Sequence, residues 1–301
     1  MTLRLTAMAA AATAALVLSG CGSTSATPSS TTVVHDASRF LASAATKSTG
    51  TPSMKTELSV TMLSSKLPGG RVDMSADGAL DNTNHRMNIR LDMSKFVTGL
   101  GAGAAALGSP SDWVGEEVGD FDGGRAIIYL KLPALTRLLP GGKPWIKMDL
   151  NELGKQAGID ISQFTQFAND PAQMVDWLRA ASGDVTTVGT ETIDGVSTTH
   201  YRATVDLDKY PDLVSPENRD AMRKAVDSLE KAAHVSSFPM HVWVGKDGLV
   251  RQVRAVFTET IQGQTVNVVT SERFYDFGTP VSIALPSDDQ VTDTSRLTTG
   301  G

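Results

Sequence analysis

The chain has 301 residues, 41% of them apolar and 20% charged, with a single cysteine and a formal charge of −6. This is globular composition, long enough for one large domain or two small ones and for a core that holds without disulfides. The acidic balance argues against nucleic acid or an anionic lipid surface as partner of the whole domain, because both recruit basic patches. The lone cysteine excludes an internal disulfide and a cysteine-built zinc site.

In chain order, residues 1–20 hold one basic residue near the start, Arg4, then an almost wholly Ala/Leu/Val/Met run over 7–18, then Ser19 and Gly20 before Cys21. The run is about a dozen residues, short of the ~20 that span a bilayer as a helix. It predicts a signal peptide rather than a permanent anchor. The Leu18-Ser19-Gly20-Cys21 end resembles a bacterial lipobox. That resemblance implies cleavage after Gly20, diacylglycerol on the Cys21 sulfur and usually N-acylation, so that the protein sits lipid-anchored on the outer face of the cell membrane. Two or three acyl chains anchor stably where one is marginal. The alternative is an ordinary secreted protein with an incidental cysteine.

Residues 21–34 continue from Cys21 as a Ser/Thr/Pro-rich stretch, expected to be a disordered tether. A first helix is expected over 35–47, with Asp36 as N-cap and Phe40, Leu41 and Ala44 on one side. The hydrophobic period then changes to two. Leu58, Val60 and Met62 alternate with polar residues, as do Val72, Met74, Ala76 and Leu80, and Met87, Ile89, Leu91 and Met93. Three such segments joined by turn-like links predict an antiparallel meander with one buried face.

Two more strands are expected within 120–150. Asp170-Pro171 with Gln173 opens a helix to about Gly183, after a smaller helical turn within 151–168. Strands return over 184–207 around an Asp194-Gly195 hairpin, with Tyr201, Ala203, Val205 and Leu207 on one face. Ser215-Pro216 starts a helix to about His234, and three strands follow from Phe238 to Phe277. Residues 287–301 are expected to fray as a disordered tail. The sum is one domain over 35–286, of class α+β, with roughly nine to eleven antiparallel strands; inserted helices that do not alternate with single strands argue against a parallel nucleotide-binding sheet.

Catalytic and metal signatures are lacking. The five histidines are scattered without paired ligand spacing, and no Gly-x-Ser-x-Gly elbow occurs. The Asp206-Leu-Asp208 and Asp120-Phe-Asp122-Gly123 stretches are better read as solvated turns than as calcium loops. Gly99-Leu-Gly101-Ala-Gly103 lacks a third glycine at the right offset and the βαβ setting of a dinucleotide site. No metal, no cofactor and no enzymatic activity are expected.

Two features point elsewhere. Methionines stand on the apolar strand faces at Met62, Met74, Met87 and Met93, and this flexible side chain suits a surface that accepts irregular apolar shapes. A packed core uses it as well. Residues 96–110, FVTGLGAGAAALGSP, carry no charge; a mobile apolar lid and a Gly/Ala helix buried on the sheet both fit.

The order of segments, with GGRAIIYLKL, GKPWIKMDL, ETIDGVSTTHYRATVDL and FPMHVWVGKDGLVRQVRAVF as its best-matching stretches, resembles the actinobacterial LppX/LprG-type lipoproteins, themselves similar in fold to the LolA and LolB carriers. The resemblance covers most of 35–286. It implies a large curved antiparallel sheet, a half-barrel whose concave face holds acyl chains, with helices packed on or closing that face. It further implies an acylated lipid or glycolipid as ligand, carried between membrane and envelope, with a membrane transporter as a candidate partner and no nucleic acid. Candidate lipid-contacting residues are Met62, Met74, Met87, Ile89, Leu91 and Tyr201 on inward strand positions, with Phe96 and Leu100 at an entrance. The competing expectation is a non-enzymatic scaffold or envelope-sensing module of the same fold with a filled core.

Overall fold

The computed structural model describes residues 31–65, 67–99, 107–137, 141–157, 185–212, 236–261 and 264–293, with scattered positions between 216 and 227. Cys21, Leu100 and the helix expected over 170–183 lie outside the described residues. Helix α1 spans Thr31–Thr49, starting inside the stretch expected to be tether. The strands β1 (Ser53–Leu63), β2 (Arg71–Asp81) and β3 (Arg86–Asp92) form the expected meander. Helix α2 (Ser94–Gly99) leads to β4 (Val114–Asp120), β5 (Ile127–Lys131), the short α3 (Pro133–Thr136), β6 (Trp145–Asp149) and α4 (Leu150–Ala157). The second half holds β7 (Thr186–Ile193), β8 (Val196–Asp206), β9 (Ser237–Gly245), β10 (Val250–Ile261), β11 (Gln264–Tyr275) and β12 (Val291–Asp293).

All twelve strands join one open sheet in the order β12-β6-β5-β4-β3-β2-β1-β11-β10-β9-β8-β7. The α+β half-barrel expected from the sequence is the fold found, with two amendments. A strand at β4 was not foreseen. The stretch expected to fray contributes β12, whose Val291 and Thr292 lie parallel to Trp145 and Ile146 of β6, so the sheet is mixed at that edge. The first and second halves of the chain meet where β1 pairs with β11, Leu58 opposite Glu272 and Met62 opposite Val268.

Period-two alternation gives the sheet two chemically distinct faces. The face on which α1 lies is called inner here. Ala37, Leu41, Ala42, Ala44 and Ala45 of α1 pack on Tyr201, Val205, Met240, Val242, Val253 and Ala255, all buried. Small alanines let the helix approach the strands closely, while Ser48 pins its last turn by accepting the Val250 backbone N–H at 2.9 Å. The β7–β8 turn uses the predicted Asp194-Gly195 pair, with φ of 47° and 80°. Positive φ at both central residues is what a tight hairpin requires. On the outer face, the segment after β11 crosses the first half-sheet. Its Ile283 and Leu285 cover Val118, Tyr129 and Trp145. Arg86 Nη1 fixes this strap by donating to the Ile283 carbonyl at 3.2 Å.

Candidate functional site

The register brings five of the predicted residues together. Val60 stands opposite Met74, Met62 opposite Val72, Ala76 opposite Leu91, Leu80 opposite Met87 and Gly78 opposite Ile89. Met62, Met74, Met87, Ile89 and Leu91 therefore share one inner-face cluster with Leu58, Val60, Ile128, Val266 and Val268. Met87 and Ile89 are buried, but Met62, Met74 and Leu91 are only half-buried. Tyr201 belongs to the other cluster, under α1, its ring 5.6 Å from that of Phe40. Phe96 is half-buried in a third cluster at the α2 end of the sheet, with Val97, Trp113 and Leu132.

The sequence pattern missed the polar member of this face. In β4 the inward positions are Gly115, Glu117 and Gly119, facing Leu91, Ile89 and Met87 of β3. On the other side Glu117 stands opposite Leu130 of β5, and Gly119 opposite Ile128. The flanking glycines leave room that other side chains fill. A Cβ on Gly119 would meet the Phe121 ring at 2.6 Å and Met87 at 2.8 Å, and one on Gly115 would meet the Lys131 backbone carbonyl at 2.3 Å and Leu132 at 2.9 Å. Glu117 thus stands between the apolar Ile89 and Leu130 and is 3% exposed. Among the described residues its Oε1 has no hydrogen-bond partner. Burial alone pushes its carboxyl up to about 7, with no charged neighbour contributing. Another inner-face carboxyl, Glu272 on β11, is treated differently: Thr56 Oγ1 donates to its Oε1 at 2.7 Å. The signal in the sequence was available in retrospect: Gly-x-Glu-x-Gly at one parity inside a strand-length segment bounded by Trp113 and Phe121.

A second polar cluster lies on the outer face near the β7 edge. His200 Nδ1 is 2.7 Å from Glu191 Oε1, and its Nε2 is 2.8 Å from His241 Nδ1. Trp243 Nε1 donates to Glu191 Oε2 at 2.9 Å, and its ring stacks on His200 at 4.3 Å. The Trp243 bond, and then His200, hold the Glu191 carboxyl below its ordinary value. Burial, then the neighbouring His200, push His241 down to about 4. No nucleophilic side chain takes part in these contacts. What the cluster does is fasten the otherwise exposed edge strand β7 to β8 and β9 through one carboxylate. Among the described residues, no three His, Cys, Asp or Glu side chains gather as a metal-binding group. No described helix is long and apolar enough to cross a membrane.

No family model matches the chain. An uncharacterized 31.2 kDa protein of the rplA–rplJ intergenic region of Streptomyces griseus is 32% identical over 161 residues. That match takes in 52% of this chain and spans half the length (50%) of the relative. Among solved structures, the chain is similar to the lipoprotein LppX of Mycobacterium tuberculosis, at 16% identity and a TM-score of 0.44, covering 82% of this chain and 97% of that one. It is similar also to LprF of Mycobacterium bovis, at 15% identity and a TM-score of 0.37, covering 84% and 98%. The LppX-type lipoproteins to which the sequence segments pointed are thus found among the structural neighbours.

Proposed function

We propose that the protein is an envelope lipoprotein, anchored through Cys21 and without enzymatic activity, that takes the acyl part of a lipid or glycolipid onto the inner face of its sheet and carries it between membrane and envelope. The observation that carries this is the half-buried state of Met62, Met74 and Leu91, apolar side chains on a face whose stretch beneath α1 is closed. Each CH₂ removed from water there is worth ~0.8 kcal/mol, so an acyl chain lying along these strands gains affinity with every carbon buried. The pliable thioethers of Met62 and Met74 suit chains of differing shape. A tether to the bilayer keeps such a carrier near its source and acceptor.

The competing role, a scaffold or envelope sensor with a filled core, is favoured by one observation, the closed cluster beneath α1. Native mass spectrometry of the full chain from an actinobacterial host, before and after organic extraction, separates the two. The carrier shows an extractable lipid mass beyond any acyl groups bonded to Cys21. A protein with only bonded acyl mass, from several lipid-rich preparations, is the scaffold. Met74→Trp or Leu91→Trp is expected to reduce the extractable mass while leaving the fold intact; unchanged loading would remove those positions from the site.

A further inference from the structure

Burying a carboxyl without a partner costs stability, and an apolar side chain of similar size at the same place would not incur that cost. The chain nonetheless puts Glu117 in the wall of its apolar face, between the Met-rich cluster and the cluster around Val97, Trp113 and Leu132. Three residues further along β4, Asp120 shows what a structural buried acid looks like here. It points to the outer face and is flanked by Arg86 at 3.8 Å and Arg125 at 3.4 Å. Asp120 Oδ1, like Glu117 Oε1, makes no hydrogen bond, but among the described residues only Asp120 has guanidinium groups beside it.

We propose that Glu117 is the polar anchor of the inner-face site, its neutral carboxyl donating a hydrogen bond to an ester or amide carbonyl of an acylated lipid. This rests on the carrier function and adds a ligand class and a regulation to it. The geometry supplies three elements. The side chain lies on the apolar face by register, opposite Ile89 and Leu130. Its Oε1 is enclosed and unsatisfied. Among the described residues the side chains around it are apolar: β3 presents Met87, Ile89 and Leu91, β5 presents Ile128 and Leu130, and the cluster at the α2 end holds Val97, Trp113, Leu132 and Leu135. Among the described residues no charged group faces it from these elements or shifts it; of the inner-face carboxyl positions on the second half-sheet, Glu272 is four strands away and bonded by Thr56, and Glu259 on β10 is five strands away.

A carbonyl is the group that fits. It is the one polar unit that every ester- or amide-linked acyl chain brings into a hydrocarbon site, and it accepts but cannot donate. A neutral carboxyl supplies the missing donor, and a carboxylate does not. With a titration near 7, the group donates in mildly acid conditions and loses that capacity as pH rises. Ionisation then places a negative charge against a carbonyl oxygen in an apolar setting. Ligand release is thereby favoured at higher pH.

The experiment uses the full chain, stripped of lipid, and two radiolabelled probes offered from neutral phosphatidylcholine vesicles: dioleoylglycerol and its dioleyl diether analogue, which has the same chains without carbonyls. Partition between protein and vesicles is measured from pH 5.5 to 8.5. The wild-type chain is expected to prefer the diester by about tenfold at pH 5.5, the increment of one net hydrogen bond, and to lose that preference above pH 7. Glu117→Gln, which keeps a donor and cannot ionise, is expected to hold the preference at every pH. Glu117→Leu is expected to bind both probes alike. A diester preference that survives in Glu117→Leu, or a wild-type preference flat across the pH range, overturns the anchor while leaving the carrier in place. A wild-type chain that binds neither probe overturns the carrier, and the anchor with it.

Discussion

The inner face of the sheet is built in two ways. Across β8, β9 and β10 it is covered by α1: Val205 and Ala203 are 0% exposed, Met240 and Val242 1%, and the alanines of the helix fill the space above them. Across β1, β2 and β3 the same face carries longer and more flexible side chains, and Met62, Met74, Leu80 and Leu91 keep part of their surface open. The two stretches are continuous through the β1–β11 pairing, so one sheet supplies both a closed core and an adaptable wall. The closed part buries mainly β-branched and small residues, with Met240, Tyr201 and Phe238 held among them, which fixes one packing. The open part uses methionine, which specifies no packing. Tight packing is thus concentrated beneath α1 and adaptability across β1, β2 and β3.

The largest expected effect tests that division directly. Met240→Ala opens a cavity in a closed core and is expected to cost roughly 3 kcal/mol in urea unfolding. Met74→Ala removes the same atoms from a half-buried position and is expected to cost about 1 kcal/mol. Equal costs would mean that the face is one uniform core, and the distinction between its halves would fail.

Glu117 gives the next effect, and its sign differs from that of the usual buried acid. Its folded value of about 7 lies above the ordinary 4.5, so the native chain holds this proton more tightly than the unfolded one. The stability it permits is complete below about pH 4.5 and declines as pH rises towards 7, then levels off. The shift corresponds to at most about 3 kcal/mol. Glu117→Leu is expected to be more stable than the wild type at pH 8, with the difference shrinking towards pH 5. Thermal unfolding at the two pH values measures it; equal differences at both would show that Glu117 is satisfied in solution.

What could be read beforehand followed the hydrophobic period. The meander, the Asp194-Gly195 hairpin and the last three strands were visible because Leu58-Val60-Met62, Tyr201-Ala203-Val205 and Phe238-Met240-Val242 alternate strictly. Strand β4 was not, because its inward positions are Gly115, Glu117 and Gly119, and a strand without apolar residues on its core side has no period to detect. The β12 pairing was hidden by its brevity: Val291–Asp293 is held by a neighbour far off in the chain rather than by its own composition. Five of the candidate residues fell together because one parity rule placed them all. Tyr201 obeys the same rule, yet lies under α1, and no local pattern says which part of a face a helix will cover.

The smallest effect concerns the outer face of the closed half. His241, pushed down to about 4 by burial and then by His200, Arg254 and Arg202, stays neutral in the folded chain where the unfolded chain would take up a proton near its ordinary 6.5. Its contribution is present above pH 6.5 and is lost as pH falls towards 4. Partial exposure to water damps the loss. The direction opposes that of Glu117 over nearly the same interval, one group favouring the folded state on the acid side and the other on the neutral side. The wild-type stability profile between pH 4.5 and 6.5 is therefore expected to be flatter than either group alone would make it. His241→Asn is expected to leave a profile that falls as pH rises, and Glu117→Gln one that rises with pH, both followed by urea midpoints at half-unit steps. Two variants with parallel profiles would mean that neither group titrates in this interval. Opposite slopes would show that the open wall and the closed half carry separate and opposed proton switches on one sheet.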